Sequence, residues 1–241
     1  MPRFLPALLA VLLVTTGCAT PMLLPAPSAA PAAAPGQASL PPLLAAARAG
    51  DHHALRETLN AHPDVNVTDA NGVTALMQAA QQGHTGIAEE LIARGAFVWK
   101  KSRRGLSALA YASIHGHADM ARLLLANGAH VNVRNQQGDT PLIFAALYGR
   151  LEVARVLLEH NALVNLREVN GITALMIAAD GGYEDLVKML LARGADVNAA
   201  TTGGESALVL AREKGWRTIV EMLKNAGAVE PVWYTPSRGV A

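Results

Sequence analysis

Histidine is the side chain in this sequence best suited to binding a metal ion or transferring a proton. The chain has 241 residues, eight histidines and a single cysteine. No two histidines show the His-Glu-x-x-His spacing of a helical zinc site, and no Cys accompanies them. His115 and His117 could share a metal from one loop, but they lack a companion Cys ligand. The pattern therefore predicts no metal site and no cofactor.

Other catalytic patterns are also missing from the sequence. It contains no Gly-x-Ser-x-Gly nucleophile turn, no Gly-x-x-x-x-Gly-Lys-Ser/Thr phosphate loop and no Gly-x-Gly-x-x-Gly dinucleotide turn. Carboxylates such as Glu89, Glu152 and Glu159 fall on predicted helix faces that meet water. An acid and base pair would have to converge in a pocket instead. We expect that the protein is not an enzyme.

A basic segment from Trp99 to Arg104 is the sharpest local charge feature, since four cations follow an indole there. Tryptophan and arginine are enriched at interface hot spots, and clustered cations attract acidic partners or lipid head groups. One interpretation makes Trp99, Lys100, Lys101, Arg103 and Arg104 a binding site. The other is a solvated loop in which Trp99 packs on a neighbouring side chain. The sequence leaves both open.

The N-terminus has the pattern of an export signal over residues 1–17. Arg3 is its one charged side chain, and the apolar run from Phe4 to Val14 is too short to span a membrane. Residues 14–18, Val-Thr-Thr-Gly-Cys, resemble the lipobox of bacterial lipoproteins, which implies export and lipidation of Cys18. As the only cysteine, Cys18 has no disulfide partner in the chain. A plain signal peptide with an incidental Cys18 is the alternative.

The lipoprotein resemblance also implies a location and a tether. Ala19 rather than Asp after the lipidated residue is typical of sorting to the outer membrane, with the protein facing the periplasm. Inner-membrane retention stays open. Residues 18–42 form a linker, in which positions 19–42 hold seven Pro, eight Ala and no charge. This composition favours an extended stalk.

The charge of the whole chain is nearly balanced. Its formal net charge is +1 at neutral pH, with 20 basic and 19 acidic side chains. A general nucleic-acid-binding protein carries a strongly basic surface. We therefore expect no nucleic-acid partner.

The elements that must position these side chains recur every 33 residues. The pattern Gly-x-Thr/Ser-Ala/Pro-Leu begins at Gly72, Gly105, Gly138, Gly171 and Gly204. A fixed period of this length is typical of a stacked repeat protein. The Thr or Ser suits a helix N-cap, and pairs such as Gly95-Ala96 suit a left-handed helix end. The sequence predicts a helix, turn, helix, loop unit and an all-α solenoid.

Two stretches, residues 135–165 and 171–198, resemble the ankyrin repeat family nearly throughout, including the run from Gly138 to Leu142. The resemblance implies an ankyrin-repeat solenoid of about six repeats over residues 43–229, the first without its opening turn. A tail over residues 230–241 follows, and its segment from Pro231 to Tyr234 would cover the apolar edge of the last repeat. A recruited peptide motif in that segment is the alternative.

The ankyrin resemblance implies that a partner protein binds the hairpin tips and the exposed side of the first helices, which form a concave surface. Mapped by the period, the predicted partner-binding residues are Trp99, Lys100, Lys101, Arg103, Arg104, Leu106, His115, Gln136, Gln137 and Tyr148. The same mapping predicts that Val73 and Asp139 are exposed there.

These patterns together predict a monomeric, lipid-anchored adaptor in the bacterial envelope that binds one protein. The resemblance to exported bacterial ankyrin proteins suggests an immunity partner or a stress-defence partner. The competing hypothesis is a membrane-surface or envelope-structural protein, in which the loop from Trp99 to Arg104 touches anionic lipid.

Overall fold

The computed structural model describes residues 40–61 and 64–230. Three features predicted from the sequence lie outside the described residues: the signal peptide 1–17, Cys18 and the tail segment from Pro231 to Tyr234. Most of the linker 18–42 lies outside them as well.

Twelve helices follow one another in six pairs within the described residues. The pairs are α1 (Pro42–Ala49) and α2 (His52–Ala61), α3 (Ala75–Gln82) and α4 (Thr85–Ala93), α5 (Ala108–His115) and α6 (Ala118–Ala126), α7 (Pro141–Leu147) and α8 (Leu151–Glu159), α9 (Ala174–Asp180) and α10 (Glu184–Ala192), and α11 (Ala207–Lys214) and α12 (Arg217–Asn225). The members of a pair are named here its first helix and its second helix. The predicted unit, the six repeats and the all-α fold class are confirmed.

A hydroxyl group starts each first helix after α1. The side-chain oxygen accepts a hydrogen bond from the backbone N–H three residues further on, at 3.2 to 3.5 Å, in Thr74, Ser107, Thr140, Thr173 and Ser206. Such a cap stabilises a helix by about 1 kcal/mol, because it satisfies a donor that the helix leaves unpaired. The predicted capping role of the motif Thr or Ser is confirmed.

Left-handed residues end the second helices and turn the chain back. Gly95, Gly128, Gly194 and Gly227 have φ between 80° and 89°, and Asn161 takes the same place with φ 62°. In the first of these ends, the Ala96 N–H donates to the Leu91 carbonyl at 2.9 Å. Asparagine tolerates this conformation better than other residues with a Cβ. The predicted helix ends are therefore confirmed.

The core runs continuously from one repeat to the next. Fully buried alanines line the first helices, which pack closely on the first helices of their neighbours. The second helices pack less extensively on each other. Each of α4, α6, α8, α10 and α12 contributes one fully buried leucine at the same register, namely Leu91, Leu124, Leu157, Leu190 and Leu223. Burying such a side chain stabilises the fold by about 1.5–3 kcal/mol.

Hairpin loops lead from each second helix to the next first helix, and backbone bonds join neighbouring hairpins. The N–H of Arg103 donates to the Asn71 carbonyl at 2.8 Å, and the N–H of Val169 donates to the Gln137 carbonyl at 3.0 Å. Within each hairpin, one side-chain oxygen accepts backbone N–H groups of the tip; it belongs to Asp69, Ser102, Asn135, Glu168 or Thr201. The hairpins are thus fixed both internally and to one another.

A second inter-repeat contact lies at the other end of the first helices. The side chain that precedes a second helix reaches back over the last turn of the previous first helix. Trp216 Nε1 donates to the Asp180 carbonyl at 2.9 Å, and Arg150 Nε donates to the Ile114 carbonyl at 3.0 Å. A glycine lies under each reaching side chain, as Gly182 does under the Trp216 ring.

Among the described residues, no helix combines the length and the apolar content needed to cross a bilayer.

We predict that the glycines under these side chains tolerate alanine worse than other left-handed glycines. Gly182 and Gly194 have φ of 76° and 80°. A Cβ on Gly182 would lie 2.7 Å from Trp216 Cε2, whereas a Cβ on Gly194 would meet nothing within 4 Å. Gly194→Ala should lower the free energy of unfolding by about 1–2 kcal/mol through backbone strain. Gly182→Ala should cost roughly 1–3 kcal/mol more, because the bonded indole cannot shift freely. Urea unfolding of both variants measures the difference, and equal losses would contradict this packing.

Candidate functional site

A row of exposed side chains lies on the hairpin tips. Gln136 Nε2 donates to the Arg103 carbonyl at 2.7 Å, and the neighbouring Gln137 accepts from the next hairpin through its own carbonyl. The structure therefore brings together three predicted residues, Arg103, Gln136 and Gln137. Asn71 and Asn170, on the flanking hairpins, continue the line. These five exposed residues are called the hairpin row.

Arg104 and Leu106 lie beside the hairpin row, on the loop that enters α5. Arg104 is exposed and Leu106 is half-buried, with its N–H donating to Ser102 Oγ at 3.2 Å. Burial raises the pKa of Tyr111, which lies on α5. The hydrogen bond of Tyr111 with Ser102 and the charge of Arg104 oppose that rise. The Tyr111 hydroxyl therefore stays protonated and serves as a hydrogen-bonding group.

His115 and Tyr148 form a second cluster around Arg150, at the C-terminal ends of α5 and α7. The Arg150 guanidinium carbon lies 6.0 Å from the centroid of the Tyr148 ring, and its Nε is bonded to the Ile114 carbonyl. The His115 ring stacks on the His117 ring, with centroids 6.3 Å apart. His115, Tyr148 and Arg150 are called the helix-end cluster. The α5 helix separates it from the hairpin row by about 12 Å.

Burial and charge set the protonation of the helix-end cluster. Burial lowers the pKa of His115, and the neighbouring His117 and Arg150 lower it further, so the ring is neutral at pH 7. Burial raises the pKa of Tyr148 to about 12, against the opposing effect of Arg150. The Tyr148 hydroxyl is buried and has no hydrogen-bond partner among the described residues. The cluster thus carries one cation and two neutral rings.

The two lysines of the basic segment are tied to the scaffold. Lys100 Nζ donates to the Asn66 carbonyl at 3.0 Å, and Lys101 Nζ donates to the Arg134 carbonyl at 2.8 Å. Arg134 donates in turn to the Arg167 carbonyl, and Arg167 to the Ala200 carbonyl. The signal that the sequence analysis missed is the 33-residue spacing of Lys101, Arg134 and Arg167. A binding role for the lysines stays a prediction, but each also links two repeats.

Trp99 is exposed and stacks on Phe97. The two ring centroids lie 5.0 Å apart at an interplanar angle of 20°. The exposed fractions are 59% for Trp99 and 46% for Phe97. Trp99 therefore packs on a neighbour, as one interpretation of the sequence had it, and still presents most of its indole to solvent. Phe97 was missed, although its place two residues before Trp99 was a visible signal.

Two positions that were expected to be exposed are buried. The exposed fraction is 8% for both Val73 and Asp139. The prediction was wrong because the hairpin turns these residues inward: the N–H of each donates to the oxygen side chain that caps the hairpin, Asp69 or Asn135. Asn135 also donates to Asp139 Oδ2 at 2.9 Å, and burial raises the pKa of Asp139.

One carboxylate of the second helices, Glu90, is bonded to another repeat, whereas the sequence predicted that these carboxylates only meet water. Glu90 accepts a hydrogen bond from Arg56 Nε at 2.9 Å and lies 3.4 Å from His52 Nδ1, so it joins α2 to α4. The hydrogen bond from Arg56 lowers the pKa of Glu90. Within the described ranges, no group of three or more His, Cys, Asp or Glu side chains could hold a metal ion.

A family model described as ankyrin repeats (3 copies) matches residues 43–135 and 127–201. No curated protein matches the chain. The matched segments cover more than half of the 241 residues and coincide with the stacked helix pairs. The chain therefore belongs to the ankyrin repeat family, whose repeats typically act as a non-enzymatic scaffold that binds other proteins.

Proposed function

We propose that this protein is an exported, membrane-anchored adaptor that binds one partner protein through the hairpin row and the helix-end cluster. Ankyrin repeats mediate binding to other proteins, and the finer assignment is specific to this chain. The observation that carries it is the hairpin row itself: exposed Arg103, Gln136 and Gln137 stand on tips that are bonded to neighbouring hairpins, through backbone groups at Arg103 and Gln137 and through the side chain of Gln136.

A fixed backbone favours binding because the loops lose little further conformational entropy when a partner binds. Association loses free energy wherever it immobilises loops and side chains. In the hairpin row, the bond from Gln136 Nε2 to the Arg103 carbonyl already holds one side chain across two repeats. The bond from Arg103 N–H to the Asn71 carbonyl holds the tip next to it. A partner would meet a preorganised polar surface there.

The chemistry of this surface suits recognition. The hairpin row offers a guanidinium and several carboxamides, which are strong hydrogen-bonding groups that rarely transfer protons in proteins. Arg103 and Arg104 would select an acidic or carbonyl-rich region of the partner. The proposal contains no catalytic step.

The envelope location rests on the sequence. The export pattern of residues 1–17, the lipobox-like residues 14–18 and the lone Cys18 support lipidation, and Ala19 supports the outer membrane with the repeats facing the periplasm. The Pro and Ala composition of residues 19–42 supports a spacer between membrane and repeats. An immunity or stress-defence role fits such a tethered adaptor.

We predict that reversing the charges of Arg103 and Arg104 disrupts the interaction. In native envelopes, crosslinking followed by mass spectrometry should recover a specific partner with the unaltered protein. The double variant Arg103→Glu/Arg104→Glu should lower that recovery at least tenfold, since clustered interface arginines carry much of the binding free energy.

The control reverses two exposed charges elsewhere. Arg122→Glu/Arg155→Glu makes the same charge change on α6 and α8, where both arginines form ion pairs within their own helix. It should leave recovery of the partner unchanged. An equal loss in both double variants would contradict the assignment of the surface. Unchanged partner recovery with lost binding to anionic vesicles would favour the membrane-surface hypothesis instead.

We predict that Cys18 anchors the protein. Cys18→Ser should move the protein from the membrane fraction to the released periplasmic fraction, because several acyl chains on one residue give firm attachment. Intact mass measurement should find acyl groups on the unaltered protein and none on the variant. Recovery of the variant in the membrane fraction, or an unaltered protein without acyl mass, would contradict the anchor.

A further inference from the structure

Asparagine side chains join neighbouring repeats at one position of the repeat. Asn66 Nδ2 donates to the Gly95 carbonyl at 3.2 Å, and its Oδ1 accepts from the Phe97 N–H at 2.8 Å. Asn165 binds the Gly194 carbonyl and the Asp196 N–H at 3.1 and 2.7 Å. Asn198 binds Gly227 and Val229 in the same way, at 3.1 and 2.8 Å. Each carboxamide forms hydrogen bonds to a backbone carbonyl and to the backbone N–H two residues further along the chain.

Trp99 occupies this position between the second and third hairpins. The equivalent backbone groups are the Gly128 carbonyl and the His130 N–H, 29 and 31 residues further along. An indole has one donor and no acceptor, so it cannot bind both groups as a carboxamide does. Among the described residues, no side chain takes the place of the missing asparagine. Gly128 and His130 are both exposed, so the pair is open to a ligand.

A groove opens at this point. It has a volume of about 410 Å³ and is lined by Trp99, Lys101, His130, Val131, Asn132 and Val133. Its aromatic wall is held in place from the preceding repeat: the Phe97 N–H donates to Asn66 Oδ1, and Lys100 Nζ donates to the Asn66 carbonyl. The stack of Phe97 on Trp99 then fixes the indole. The groove therefore combines an apolar wall with the unbonded His130 N–H, and the Gly128 carbonyl lies two residues before that lining residue.

We propose that this groove binds the carboxamide side chain of an Asn or Gln in an exposed segment of another polypeptide. The ligand's amide nitrogen donates to the Gly128 carbonyl, its amide oxygen accepts from the His130 N–H, and its aliphatic carbons pack on the Trp99 indole. The ligand supplies the contacts that Asn66, Asn165 and Asn198 make in their own interfaces.

The arrangement selects a carboxamide over similar side chains. A carboxylate can accept from His130 but has no donor for the Gly128 carbonyl, and it places a negative charge against that oxygen. A leucine has the shape of an asparagine but neither donor nor acceptor. A site built to pair both polar groups rejects ligands that leave one unpaired. None of the residues that line the groove belongs to the hairpin row, so this proposal can fail while the proposed function holds.

Nuclear magnetic resonance of the isotope-labelled mature chain tests the proposal with three capped tripeptides, Gly-Asn-Gly, Gly-Asp-Gly and Gly-Leu-Gly. Only Gly-Asn-Gly should shift the His130 amide resonance in a saturable way, with at least tenfold weaker binding of the other two. The shift should persist in Arg103→Glu/Arg104→Glu, which separates this groove from the hairpin row. Equal shifts with Gly-Leu-Gly, or no shift at all, would overturn the proposal.

Two variants of residue 99 give an independent readout. Trp99→Asn and Trp99→Ala both lose the stack on Phe97. Only the asparagine side chain can bond to both the Gly128 carbonyl and the His130 N–H. The Tm of Trp99→Asn should exceed that of Trp99→Ala by about 2–4 °C. Trp99→Asn should also lose the Gly-Asn-Gly shift at His130, while Trp99→Ala keeps a weakened one. Identical melting and identical binding in the two variants would overturn the proposal.

Discussion

The close fit of each repeat against the next is the constraint on which the rest of the structure depends. A single pair of short helices buries too little apolar surface to be stable, so each pair relies on its neighbours. Fully buried alanines and the glycines beneath Arg150 and Trp216 let the first helices approach, and the regularly spaced buried leucines fill the space behind them. A larger side chain at any of these places separates two repeats and weakens both.

This fit also decides where binding is possible. Stacking uses the inner sides of both helices, and inter-repeat bonds from Trp216, Arg150 and Lys101 use the helix ends and loop backbones. In the hairpin row, Gln136 Nε2 makes one such inter-repeat bond, to the Arg103 carbonyl, and the other inter-repeat bonds of the row come from its backbone. Variable side chains on a fixed backbone are the arrangement that recognition favours, because specificity can change without loss of the fold.

Much of the fold follows from the sequence, because residues 33 positions apart have the same structural role in successive repeats. The Thr and Ser caps and the left-handed Gly at helix ends act locally and are therefore visible in single repeats. Burial of Val73 and Asp139, by contrast, depends on how the hairpin turns, which a period does not reveal. The lysines of the basic segment were read as one charge cluster, yet Lys101 belongs to a spacing shared with Arg134 and Arg167. Trp99 stands where Asn66, Asn165 and Asn198 stand in other repeats, but the consequence of this difference becomes visible only with the backbone groups at Gly128 and His130.

Amide hydrogen exchange measures the central claim directly, since the proposed binding surface depends on loops that are held rigid by neighbouring repeats. The N–H groups of Arg103, Val169 and Thr202 bond to the preceding hairpins. They should exchange as slowly as the backbone amides inside the first helices. They should exchange far more slowly than the backbone N–H of Gln136, which takes no part in these bonds. Exchange of all four amides at the same fast rate would show mobile loops and would contradict the account.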